Sequence, residues 1–160
     1  MSRHIGIIPA LALLFWPCSF AHPVESSNMI YTGVVERVID GDTIHCLLQL
    51  QPETLRMFAR IGVRLAGVDA PELKGKCEIE KALAKKALET LRSLLPSGSA
   101  IFLTNVDSDK YTGRLVASIQ TGLGKDVAEQ MSAAGLVRPY AGRGPRPDWC
   151  ASGSHLKSPP

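Results

Sequence analysis

Residues 29–39 (MIYTGVVERVI) are rich in β-branched and apolar side chains and predict a strand. Asp40-Gly41 signals a turn, and residues 43–50 (TIHCLLQL) predict a second strand. A polar break at 51–54 contains Pro52. Residues 55–68 then predict one or two strands, with Gly62 and Gly67 as bend or bulge points. Asp69-Ala70-Pro71-Glu72 leaves the sheet, because proline has no N–H to give a ladder. The period then changes. Over residues 78–95, Ile79, Leu83, Ala87, Leu88, Leu91, Leu94 and Leu95 recur at helical spacing, with Lys81, Lys85, Lys86 and Glu89 on a solvated face. Pro96-Ser97-Gly98 stops that helix. Strands are predicted at 101–106 and 114–121, with a polar loop at 107–113 between them. Asp126 with Glu129 carries the capping-box pattern of a short helix that stops at Gly135. From Pro139 onward glycine and proline dominate, and no regular structure is expected.

Short strands that turn often, interrupted by one long helix and followed by a short one, suit an α+β fold: a small five-stranded OB-like β-barrel with about two packed helices. The chain is 160 residues, 45% hydrophobic and 21% charged, which predicts one domain and excludes a disordered chain. Gly 14 and Pro 11, without a period, exclude a collagen-like or low-complexity chain. The net charge of +3 permits an anionic partner without requiring one.

The N-terminus reads as a leader. Arg3 precedes the apolar run 5–16, and Ser19 and Ala21 are small residues placed for a cut after Ala21. The run is shorter than the roughly 20 residues of a spanning helix. An uncleaved anchor and a lipoprotein anchored at Cys18 are the alternatives. The division expected is a signal peptide at 1–21, a mobile lead-in at 22–29, the folded domain at 30–141 and a Pro/Gly-rich tail at 142–160. The mature protein is expected to be exported, periplasmic or secreted, without stable membrane association. Cys46, Cys77 and Cys150 then remain, and an oxidising compartment favours one bridge. Three pairings are open. Cys46 lies in an apolar strand and reads as a buried thiol, whereas Cys77 and Cys150 lie in polar, loop-like surroundings and are the favoured pair.

Three polar clusters interrupt this pattern: Asp40-Gly41-Asp42-Thr43, the run Arg64 to Glu72, and Asp109-Lys110-Tyr111-Thr112-Gly113-Arg114. Each alone reads as a turn or a solvated loop. Together they hold carboxylates and arginines in the combination that phosphodiester hydrolysis uses. A hard cation such as Ca²⁺ takes about 6–8 oxygen ligands, which Asp42, Asp69 and Glu72 could begin to supply. Arg64 and Arg114 offer planar forks for phosphate oxygens. His22, His45 and His155 are scattered, with no cysteine pair at zinc-binding spacing.

The runs VIDGDTI, VRLAGVDAPE, DKYTGR and GKDVAEQMSAAGLV, in that order, resemble the thermonuclease (staphylococcal nuclease) family over residues 30–140. The resemblance implies an OB-fold barrel and a Ca²⁺-dependent nuclease, cutting single- and double-stranded DNA and RNA to leave 3′-phosphate ends. It implies that Asp42 and Asp69 are metal carboxylates, with the Ala70 carbonyl a further ligand and Asp40 beside them. Glu72 would activate or orient the attacking water, and Arg64 and Arg114 would bind phosphate. Lys110 and Tyr111 match nucleotide-contacting positions. The tail 138–149 interleaves cations with aromatics. It would either track a phosphate backbone, with Tyr140 binding substrate, or be held down by Cys150 with Trp149 packed. The family's usual run is DKYGR, and here Thr112 is inserted. An extra residue on a strand turns every later side chain to the opposite face, so Arg114 reaches the site only where the loop absorbs it. Arg64 and Asp69 meet only if the chain bends near Gly67. The alternatives to a monomeric nuclease are a non-catalytic OB-fold module that binds nucleic acid and an exported structural protein with an incidental metal site.

Overall fold

A computed structural model describes residues 29–50 and 57–151. The leader, most of the lead-in, the break at 51–54 and the end of the tail lie outside the described residues. The strands are β1 (Tyr31–Val38), β2 (Thr43–Leu50), β3 (Met57–Leu65), β4 (Val68–Asp69), β5 (Ala100–Ser108), β6 (Arg114–Thr121) and β7 (Arg138–Pro139). The helices are α1 (Glu78–Leu94) and α2 (Val127–Ala133). Five strands close a barrel in the order β1-β2-β3-β6-β5, with β5 returning to β1. The β3–β6 seam is parallel, and the other barrel pairs are antiparallel. β4 and β7 form a separate two-stranded sheet. The five-stranded barrel with two helices is the α+β fold expected.

Strand alternation builds the core. Ile44, Cys46 and Leu48 of β2, Val63 and Leu65 of β3, Ile101 and Leu103 of β5, and Ala117 and Ile119 of β6 are all buried. Burial, then the nearby Glu36 charge, pushes the Cys46 thiol up to about 11, so it stays a protonated core residue. β5 runs two residues beyond its predicted end. A bulge between Thr104 and Asp107 absorbs a register shift, after which Asp107 and Ser108 pair with Val116 and Leu115. The tail is not wholly irregular either, since Arg138–Pro139 pairs with Val68–Asp69.

The apolar stripe of α1 follows the one predicted at Ala87, Leu91 and Leu95, with Leu88 and Leu94 packed beside them. Ala84, Ala87 and Leu91 are buried, with Glu80 in line, whereas Ile79 is exposed. Small residues at the contact let the helix approach the turn at Gly41. A Cβ there would lie 2.8 Å from the Cβ atoms of both Ala70 and Ala87. Cys77 caps α1 and is bonded to Cys150, closing a separation of 73 residues. A bridge across a long loop stabilises by roughly 2–4 kcal/mol. α2 is capped by Asp126, whose carboxylate accepts the Glu129 N–H, and it ends before Gly135 at φ 67°.

Gly41→Ala should destabilise the protein by about 1–3 kcal/mol, the usual cost of overpacking. Urea unfolding with an unchanged m-value would read this out.

Candidate active site

The register of the β2–β3 pair starts the site. Thr43 lies opposite Arg64, so the Asp42 side chain, at the end of the β1–β2 turn, meets the arginine. The turn is shaped by Asp40, whose Oδ1 accepts the Asp42 N–H at 3.0 Å. Gly67, at φ 74°, reverses the chain between β3 and β4. That bend brings Asp69 back onto Arg64, although strict strand alternation would set them on opposite faces.

Two buried carboxylates therefore converge on one guanidinium. Arg64 Nη2 lies 2.8 Å from Asp42 Oδ2 and 3.0 Å from Asp69 Oδ1, and its Nη1 donates to Asp42 Oδ1 at 2.9 Å. Asp42 also accepts the Thr43 hydroxyl and the Ala70 N–H. Burial pushes the Asp42 carboxyl up to about 7, with the Asp40 charge adding to it and Arg64 and the Ala70 amide pulling the other way. The donor set facing Arg64 is oxygen from carboxylates, the chemistry a hard divalent cation prefers over a thiol or imidazole set. Asp42 and Asp69 fit such an ion, with Asp40 holding the turn beside them. Ala70 is buried here and meets Asp42 through its amide.

An open cleft of about 690 Å³ adjoins this pair. Asp40, Arg64, Glu72, Asp109, Lys110, Tyr111, Arg114, Tyr140, Arg143 and Arg146 line it. Thr112 is absorbed in the turn before β6, which closes through Gly113 at φ 82°. Arg114 thus begins β6 opposite Gly62 and reaches the cleft. Its Nε donates to Asp109 Oδ2 at 2.6 Å, and its guanidinium lies 4.7 Å over the Tyr111 ring. Burial disfavours the Asp109 carboxylate, but Arg114 and the amides of Tyr111 and Lys110 together hold its pKa below the usual carboxylate value. The Lys110 ammonium lies 5.3 Å from the centre of the same ring, and Tyr111 is largely exposed. Tyr140 is pinned by its N–H to the Gly67 carbonyl at 2.9 Å, and its hydroxyl donates to the Gly144 carbonyl.

A family model of staphylococcal nuclease homologues matches residues 62–148. The match covers more than half the chain and contains Arg64, Asp69, Glu72 and Arg114. The chain belongs to the staphylococcal nuclease family. A curated relative is endonuclease YhcR of Bacillus subtilis (strain 168), 31% identical over 117 residues. That alignment covers 69% of this chain but only 9% of the longer protein.

Within this nuclease-family frame, four residues make contacts at the site that the sequence reading did not assign. Glu80 is buried, and its two oxygens accept the amides of Glu72 and Lys76 at 3.3 and 2.8 Å, shaping the loop that carries Glu72. Thr43 donates to Asp42. Trp149 packs as expected, but its indole N–H also donates to Asp69 Oδ2 at 3.3 Å, and Arg138 stacks 4.2 Å above it. Arg146 binds Asp69 and Glu72 together. The signal available for the last two was the Cys77–Cys150 pairing, which returns the tail to a point a few residues from Glu72. The described residues hold one other cluster of candidate metal ligands, Cys77, Glu80 and Cys150, and the bridge removes its thiols.

Titration of Asp42 has a definite sign. Its pKa is higher folded than unfolded, so its contribution is greatest below about pH 4 and is lost as pH rises through about 7. In chelator, wild-type protein should therefore lose stability relative to Asp42→Asn across that window, as read by thermal unfolding at a series of pH values.

Proposed function

We propose that the protein is an exported, monomeric, Ca²⁺-dependent nuclease that hydrolyses DNA and RNA to give 3′-phosphate ends. One observation carries this reading. The buried carboxylates of Asp42 and Asp69 meet at Arg64, whose side chain lines the same cleft as Glu72 and Arg114. Membership of the nuclease family and the likeness to a named endonuclease support it. The Cys77–Cys150 bridge is in keeping with export to an oxidising compartment after cleavage near Ala21.

In this mechanism Asp42 and Asp69 would hold the cation. When bound, it neutralises phosphate charge and makes a bound water more acidic. The chain's own groups do the rest. Glu72 is half exposed at the cleft and accepts the proton of the attacking water. Arg64 and Arg114 hold the non-bridging phosphate oxygens as charge develops on them. Arg114 exchanges Asp109 for phosphate when substrate enters. Lys110 adds charge, and the rings of Tyr111 and Tyr140 offer faces to bases of single-stranded DNA, double-stranded ends or RNA. Phosphate-led binding of this kind weakens with salt.

Protein beginning at His22 should cleave single-stranded DNA with Ca²⁺ and not with chelator, and Glu72→Ala should abolish cleavage. Arg114→Ala should slow turnover by about 10²–10³-fold, as for loss of one donor to the transition state. Salt-sensitive binding without cleavage under any divalent ion would instead indicate a non-catalytic OB-fold module.

Asp42 also predicts the pH dependence of cation binding. A proton on this carboxyl competes with the ion, so Ca²⁺ should raise the melting temperature more at about pH 8 than at about pH 6. Asp42→Asn should remove the difference.

A further inference from the structure

The tail segment that includes Arg146 and Cys150 lines the candidate cleft. Arg146 Nη1 donates to Glu72 Oε1 at 2.5 Å, while its Nε and Nη2 lie 2.8 and 2.6 Å from Asp69 Oδ1. Glu72 is a long, half-exposed side chain on a loop, free to sample several rotamers unless something holds it. Asp69 is 1% exposed and fixed on both oxygens. One planar guanidinium bonded to both transfers the rigidity of the buried carboxylate to the exposed one.

Arg146 is itself held from behind. Trp149 is buried against Asp69, and Cys150 is bonded to Cys77, the cap of α1. The bridge joins the tail to the helix start where Glu80 already fixes the Glu72 amide. A tether this short keeps Arg146 at high effective concentration beside its partners.

We propose that Arg146 is a positioning residue for Glu72 and Asp69, delivered by the Cys77–Cys150 bridge, and that full turnover needs the bridge closed. This rests on the nuclease reading above. The Arg146 guanidinium bridges the two carboxylates, Nη1 on Glu72 and Nε and Nη2 on Asp69, which favours positioning over phosphate contact. The cleft beside Arg146 stays open, which favours positioning over a plug.

The test uses protein beginning at His22, single-stranded DNA and Ca²⁺, with kcat and KM measured separately and Ca²⁺ binding followed by calorimetry. Arg146→Ala should lower kcat at least about tenfold and leave KM within about threefold, the mark of an interaction realised at the transition state. Arg146→Lys should recover part of the loss, and Ca²⁺ should bind Arg146→Ala no more tightly than wild type. Reductant should lower wild-type kcat in the same selective way and leave Cys77→Ser/Cys150→Ser, already slow, unchanged. If the double serine variant does not fold, the Arg146 pair decides. An unchanged kcat in Arg146→Ala overturns the proposal. So does a rise in KM alone, which would make Arg146 a phosphate contact. Tighter Ca²⁺ binding with equal or faster turnover would make it a plug and overturns the proposal too. Wild-type protein that cleaves nothing overturns the nuclease reading itself, and this proposal with it.

Discussion

Two carboxylates taken out of water must be compensated by the fold, because an isolated buried charge costs several kcal/mol even after relaxation. Here Asp42 and Asp69 share Arg64, and the architecture around them serves that contact. The β2–β3 register sets Arg64 opposite Thr43, the reversal at Gly67 returns Asp69, and the close approach of α1 to Gly41 fixes the turn that aims Asp42. Each is a backbone constraint, and together they place a compact negative site at the rim of a barrel whose interior is apolar. Arg64 compensates both carboxylates, with Arg146 also on Asp69, and it lines the open cleft. The same side chain therefore serves the fold and faces the candidate site.

Around this centre the cleft mixes charges of both signs. Arg114 is held by Asp109 and Tyr111, and Arg146 by Asp69 and Glu72. Paired arginines of this kind stay ordered without substrate. On the proposed reading, an arriving phosphate would replace a carboxylate partner at Arg114 rather than order a free side chain, which lowers the entropy cost of binding. Glu80 and the Cys77–Cys150 bridge hold the two chain segments that meet at Glu72. The site is thus braced from the loop side and from the tail side.

Much of the fold was legible because the periods were clean. The bounds of β2 and β6 coincide with the apolar runs at 43–50 and 114–121. α1 was legible in extent and in most of its buried face. What was passed over on that face is Ala84, which a search for large apolar residues misses, and Glu80, which reads as surface until its backbone partners are seen. The end of β5 was missed because a bulge breaks the alternation on which strand reading depends. At the site, Asp42, Asp69, Glu72, Arg64 and Arg114 stood out through their motifs. Thr112 left the placement of Arg114 open, and the turn conformation at Gly113 resolved it.

The sequence by itself determined the barrel's strand pattern, the family and the inventory of acidic and basic groups, since these follow from local periodicity and short motifs. It also pointed to Cys77 and Cys150 as partners. Only the tertiary structure decided that Asp42 and Asp69 share one guanidinium and that Glu80 shapes the Glu72 loop. It alone placed Arg146 and Trp149, far along the chain, on the carboxylates of the candidate site. The reason is physical: local sequence sets which groups are present and how each segment runs. Which charges meet is set by chain reversals and long-range closure, and a covalent bridge spanning 73 residues leaves no local trace of what it brings together.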